Sequence, residues 1–183
     1  MVDTELNEIE CEIYKLARKN NNSECLYRCT EVIERLNESK VQDKHLMWCL
    51  SYHKSLMEYR LNKVRLAMDS AKVSLYYVNE EELNKEASLS MLMIATCYEY
   101  FNKTNEAKNI YKKLSKYYKK IGCRNLRMSC VFKIACINND LKKINKIINM
   151  AELIMYLPDN DVDLDKVTLL TQMHLSIERL RIS

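Results

Sequence analysis

An all-α fold, made of antiparallel helix pairs stacked side by side, is what this sequence predicts, and three observations predict it. Glycine and proline occur once each in 183 residues, as Gly122 and Pro158. Strand-rich folds need both residues repeatedly in their turns, so this scarcity points to helices. Leu, Ile, Met, Glu and Lys fill long segments in which apolar residues return every three or four positions, the period of one helical face. Finally, paired helix-length segments recur about every 40 residues from end to end. A unit that cannot bury its own apolar face must stack on its neighbours, and such a stack is a curved array with a groove.

The periodicity predicts nine helices, four pairs and a last single one, in a single domain over residues 1–183. The pairs span about 4–38, 43–78, 81–121 and 123–156, and the closing helix 163–182. In the first pair, Ile9, Ile13 and Leu16 form one stripe, the run Asn20-Asn21-Asn22-Ser23 makes the turn, and Ser23 is a candidate cap for the second helix. The second pair, 43–61 and 63–77, has almost no linker; Val64, Ala67, Met68, Ala71 and Leu75 share a face. Its first helix shows no clean register, because Lys54, Ser55 and Glu58 fall where apolar residues are expected. The third pair, 81–101 and 105–121, turns at Asn102-Lys103-Thr104 with Thr104 as candidate cap. The fourth, 125–137 and 140–156, ends before Pro158, which cannot continue a helix.

Around residues 88–114 a family pattern becomes visible. Met91, Ile94, Ala95 and Tyr98 match in kind and spacing the W-x2-L-G-x2-Y half of the tetratricopeptide motif, and Ala107 with Tyr111 match its A-x3-F half. Ala95 and Ala107 are small where two helices cross. The first pair carries the same motif in worn form, as Ile9, Ile13, Leu16, then Cys25, Cys29 and Val32; the fourth has Ile144 in place of the small residue. The chain therefore resembles a tetratricopeptide-repeat protein, and the resemblance implies a right-handed superhelix of about four helix-turn-helix pairs plus a C-terminal capping helix. The long repeats and the Asn/Lys/Ile-rich composition are similar to the peptide-binding repeat domains of pheromone-sensing regulators in Gram-positive bacteria. That similarity implies recognition of a short peptide. Many such regulators carry a DNA-binding helix-turn-helix domain at the N-terminus, which is not seen ahead of residue 4 here; a stand-alone sensor, a truncated relative or a protein acting on another regulator is the expectation.

The concave wall of such an array is lined mainly by the first helix of each pair. The third pair's register puts Leu92, Thr96, Glu99, Tyr100 and Lys103 toward the groove, and the second pair offers Tyr52, Leu56, Tyr59 and Arg60. Charge adds two more candidates. Residues 103–149 hold 13 basic and 2 acidic side chains, whereas 1–102 hold 13 and 17, and 150–183 hold 3 and 6. The basic stretch reads as solvated surface, as a cradle for an acidic peptide gripped by Arg124 and Arg127, whose guanidinium forks suit carboxylates, or as a nucleic-acid face. With no recognition helix, zinc finger or RNA-binding motif in sight, nucleic acid is disfavoured as a direct ligand.

Other chemistry is thin. Eight cysteines are spread through helical patterns without a Cys-x-x-Cys pair, so buried reduced thiols are expected, with no metal and no cofactor. His45, His53 and His174 lack partners at catalytic spacing, and one glycine cannot build a phosphate loop. The run from Asp159 to Asp165 resembles the start of a calcium loop but lacks its glycine, and Leu170 stands where the bidentate acid belongs. A helix-capping acidic turn fits it better. No run of about 20 apolar residues is present, and the acidic N-terminus is unlike a signal peptide, so a cytoplasmic protein without membrane contact is expected. The last helix has two apolar stripes (Leu164, Val167, Leu170 and Ile177; Leu169, Met173 and Leu180), the second of which a homodimer partner would cover. The function expected is a non-catalytic peptide- or protein-binding scaffold, a sensor or adaptor. The alternatives are an inhibitor from a mobile element docking a folded partner and, more weakly, a basic nucleic-acid-associated protein.

Overall fold

The computed structural model describes residues 2–39, 43–78 and 83–155. Eight helices account for nearly all of them, and no strand occurs among the described residues: α1 (Val2–Arg18), α2 (Asn22–Ser39), α3 (Lys44–Arg60), α4 (Val64–Tyr76), α5 (Lys85–Tyr100), α6 (Thr104–Lys120), α7 (Arg124–Ile137) and α8 (Leu141–Met155). The expected closing helix at 163–182, its apolar stripes and the acidic 159–165 turn lie outside the described residues. So do the first residues expected of the third pair, whose helix α5 begins at Lys85 behind an Asn84 cap.

One turn, used five times, explains how these helices reverse. Asn20, Asn62, Asn102, Gly122 and Asn139 all have positive φ, between 53° and 74°. At Asn62 the N–H bonds to Tyr59 O (3.0 Å) and the next N–H, of Lys63, bonds to Glu58 O (2.8 Å). Asn102 with Lys103, Gly122 with Cys123, and Asn139 with Asp140 repeat both bonds, as Asn20 and Asn21 do at longer distances. This is the Schellman closure, which satisfies the last carbonyls of a helix through one left-handed residue. After glycine, asparagine is the residue that adopts that conformation most readily. The asparagines at 20, 62, 102 and 139 each close the first helix of a pair, so they set the repeat near 40 residues.

The turn also explains why two expected caps are not caps. The residue after the left-handed one is already the N-cap of the next helix, as at Lys63 and Cys123. Ser23 and Thr104 thus fall inside α2 and α6. Where a linker is longer or the residue is acidic, true side-chain caps form: Asp43 accepts from Leu46 N–H (2.9 Å), Asn84 from Ala87 N–H (2.8 Å) and Asp140 from Lys143 N–H (3.0 Å).

Two compact units make up the chain, Met1–Ala107 and Lys108–Ser183. In the first, each helix packs on the next in sequence from α1 to α5, and in addition α1 lies against α3 and α3 against α5. The odd helices therefore adjoin in one layer with α2 and α4 behind them, the packing of an open repeat array rather than a closed bundle. In the second unit α7 packs on α8 around Phe132, Ala135, Ile144, Ile147 and Ile148.

Aligning pairs on their left-handed asparagines gives the second pair the register its sequence conceals. Cys25, Ala67, Ala107 and Ile144 become equivalent and all are buried. Likewise Ser51, Ser55 and Glu58 stand where the third pair has Met91, Ala95 and Tyr98. Two of these polar residues find partners that make their burial tolerable: Ser55 Oγ donates to Tyr52 O (2.7 Å), and Glu58 accepts from Ser70 Oγ on α4 (2.7 Å). A second polar chain ties three helices together. Trp48 Nε1 on α3 donates to Ser90 Oγ on α5 (3.1 Å), and the Ser90 hydroxyl is 2.8 Å from that of Ser74 on α4.

Candidate functional site

The repeat register places the expected groove residues opposite one another. Tyr52 is equivalent to Leu92, Leu56 to Thr96, Tyr59 to Glu99 and Arg60 to Tyr100. Because α3 and α5 adjoin, these positions form two neighbouring rows. The rows meet at the turn, where Tyr100 Oη donates to Asn62 Oδ1 (3.4 Å).

The side chains differ in what they have left to offer. Tyr52 is half-buried, stacked on Trp48 (5.8 Å between centroids, 13° between planes). Burial pushes its phenol pKa up, against the opposing pull of the Arg60 cation. Leu56 packs on the hydrophobic core of the first unit and is largely spent there. Arg60 Nη1 donates to Ala17 O (3.4 Å), Asn20 Oδ1 (3.4 Å) and Asn22 Oδ1 (3.3 Å), so this guanidinium clamps the α1–α2 turn. Thr96 is half-buried and returns its hydroxyl to Leu92 O (3.0 Å). Tyr59, Leu92 and Glu99 are half-buried. Tyr100 is the most accessible aromatic of the set, 53 % exposed, and Lys103 Nζ sits 5.9 Å from the Tyr98 ring. Arg124 and Arg127 are exposed on α7, which belongs to the second unit.

The same register adds a third row on α1, which the sequence reading missed: Glu10, Tyr14 and Arg18 correspond to Tyr52, Leu56 and Arg60. The spacing from Asn20 to Asn62 was the signal that could have found it. Tyr14 lies edge-on to His53 (4.8 Å), and His45 Nε2 is 3.5 Å from the Glu10 carboxylate. With Trp48 and Tyr52 these rings make a continuous aromatic cluster bridging α1 and α3, buried at Trp48 and His53. Burial, reinforced by Cys49 and Glu10, pushes the Tyr14 phenol up to about 12.

His53 is the odd member. It is 5 % exposed and neither ring nitrogen has a hydrogen-bond partner. Burial, and then the Arg60 cation, lower its pKa to about 4, so the ring is neutral at physiological pH.

The cysteines divide. Cys25, Cys29, Cys49, Cys97 and Cys130 are buried, whereas Cys11 is exposed, and Cys123 and Cys136 are half-buried. Cys123 departs from the expected helical setting because it closes the α6–α7 turn. Burial pushes Cys49 and Cys130 up to about 12 and Cys97 to about 11. Cys29 is raised by its contact with Cys25 and by burial. Among the described residues no group of three His, Cys, Asp or Glu side chains could hold a metal ion, and no helix is long and apolar enough to cross a membrane. A depression of about 370 Å³ is lined by Glu8, Cys11, Glu12, Lys15, Leu16 and Lys19, all from α1. It is one helix's outer surface rather than a cleft.

Compared with models of known families, with curated proteins and with solved structures, the chain finds no match.

Proposed function

We propose that this protein is a non-catalytic recognition scaffold of the tetratricopeptide kind, a regulatory sensor or adaptor that binds a short peptide segment across α3 and α5. One observation carries the reading. Equivalent positions of two adjoining helices present Tyr52, Tyr59 and Tyr100 beside Leu92 and Thr96, a mixed apolar and hydrogen-bonding strip without a metal-ligating cluster. Tyrosine supplies large contact area at small cost in side-chain entropy, which suits it to peptide recognition. Glu99 and Lys103 add one charge of each sign at the α5 end.

A different observation favours the second reading, an adaptor or inhibitor docking a folded partner. Leu66, Val73 and Tyr76 are 54 %, 46 % and 80 % exposed on the outer side of α4, an apolar strip of the kind that marks protein contacts. Selection from a displayed library of random short peptides, followed by calorimetry on the enriched sequences, separates the two. The peptide reading expects at least a tenfold loss of affinity in Tyr59→Ala and Tyr100→Ala and none in Leu66→Lys with Tyr76→Lys. An enriched peptide that responds only to the α4 changes would move the site to that helix. No enrichment at all would remove the peptide reading.

A further inference from the structure

The second unit carries a surface that the peptide reading does not use. On α6 the buried residues Ala107, Tyr111, Leu114 and Tyr118 recur at helical spacing and define its inner stripe. Lys112, Lys113, Lys116, Lys119 and Lys120 are all exposed and, at 100° per residue, all fall on the opposite face. None of the five has a carboxylate within ion-pair distance among the described residues. Residues 103–149 offer only two acids, and one of them, Asp140, is engaged in capping α8. The array contributes nothing to the core, and only Lys119 and Lys120, in the last turn, favour the helix dipole. A row of five cations in little more than two turns, with no ion-pair partner, costs helix stability through like-charge repulsion at i,i+3 and i,i+4.

We infer that the exposed lysine face of α6 binds the phosphate backbone of duplex nucleic acid without reading sequence. Lys112, Lys116 and Lys119 or Lys120 rise along the helix in steps of about 6 Å, so successive ammonium groups reach successive phosphates of one strand. Lysine is a flexible point charge, suited to a regular lattice of charge. An acidic peptide with defined side chains is better gripped by arginine forks in a cleft, and this face is the bare outside of one helix. The tyrosines interleaved with the lysines could have served single strands as stacking platforms, but Tyr111 and Tyr118 are fully buried and Tyr117 is half-buried. Only the half-buried Tyr117 is left for base stacking, so the backbone is the better target. The want of a base-reading motif in the sequence argues only against specific recognition, since phosphate contacts need none.

Fluorescence anisotropy of a labelled 20-base-pair duplex against the intact protein tests this. Three neutralised phosphates give a slope of about −3 in log affinity against log salt. Affinity should thus fall by roughly two orders of magnitude between 25 and 200 mM KCl. The triple variant Lys112→Glu, Lys116→Glu, Lys119→Glu should bind at least tenfold more weakly at 25 mM. The variant Lys44→Glu, Arg65→Glu, Lys72→Glu has the same change in net charge, at exposed positions of the first unit, and should keep wild-type affinity. Unchanged helical circular dichroism in both verifies folding. No binding at 25 mM KCl, or equal losses in the two variants, overturns the inference. So does poly-glutamate binding through the same lysines while the duplex fails to bind, which would assign the face to an acidic protein. None of these results bears on peptide binding at α3 and α5.

Discussion

Replacing His53 by methionine tests the packing of the first unit most sharply. Met93 occupies the equivalent position one repeat later and is buried there, so the substitution asks α3 to adopt its neighbour's solution. The buried imidazole is held near pKa 4, against 6.5 in an unfolded chain. Its folded form resists protonation, so the unfolded state takes up the proton first as pH falls. Stability from this residue is therefore constant above about pH 6.5, declines through the window from 6.5 to 4, and levels off below it. A gap of about 2.5 units at 1.36 kcal/mol each is worth about 3 kcal/mol, a large part of the 5–15 kcal/mol typical of a domain. His53→Met should abolish that decline and, by removing two unsatisfied ring nitrogens, stabilise the neutral protein by about 1 kcal/mol or more. Trp48 is the sole tryptophan of the chain, is buried in α3, and stacks on Tyr52 next to His53, so its emission reports this unit. Urea titrations followed at Trp48 between pH 7.5 and 4.5 supply the measurement. A wild-type midpoint that does not move over this range, or a variant that declines as steeply, would refute the account of His53 as a buried neutral ring.

Three further outcomes follow from other parts of the structure. Asn62→Val should cost about 1–2 kcal/mol, since a β-branched residue resists the left-handed conformation, whereas Asn62→Gly should be neutral or better; thermal melts of the two compare directly. Ser90→Ala strands the buried Trp48 Nε1 and should destabilise the first unit by about 1–3 kcal/mol, read by urea titration at Trp48, with Ser88→Ala as a comparison outside the Trp48–Ser90–Ser74 chain. Thiol labelling should modify the exposed Cys11 rapidly in the native protein but reach Cys49, Cys97 and Cys130 only with denaturant, because burial both hides these thiols and keeps them protonated; mass spectrometry of partly labelled protein assigns the order.

The third pair was legible because its motif residues are apolar or small in the positions where helices cross. Ala95, Ala107 and Tyr111 announce burial by type alone, and each is fully buried. The second pair was not, although it has the same architecture. Ser55 and Glu58 look like surface residues, and only the Tyr52 carbonyl and the Ser70 hydroxyl make their burial tolerable. The groove candidates show the same divide. The sequence offered Tyr52, Tyr59 and Tyr100 as groove candidates, but nothing in the residue type says that Arg60 is committed to the α1–α2 turn or that Leu56 is committed to the core.

Helix spans and reversals were thus settled by local chemistry: apolar period, the scarcity of glycine and proline, and asparagines able to turn left-handed act within a few residues of chain. Which polar groups are buried and which cations are already engaged were decided by tertiary contact alone. The physical reason is that desolvation and hydrogen bonding depend on partners dozens of residues away, as between Trp48 and Ser90, and a side chain's own identity carries no record of them.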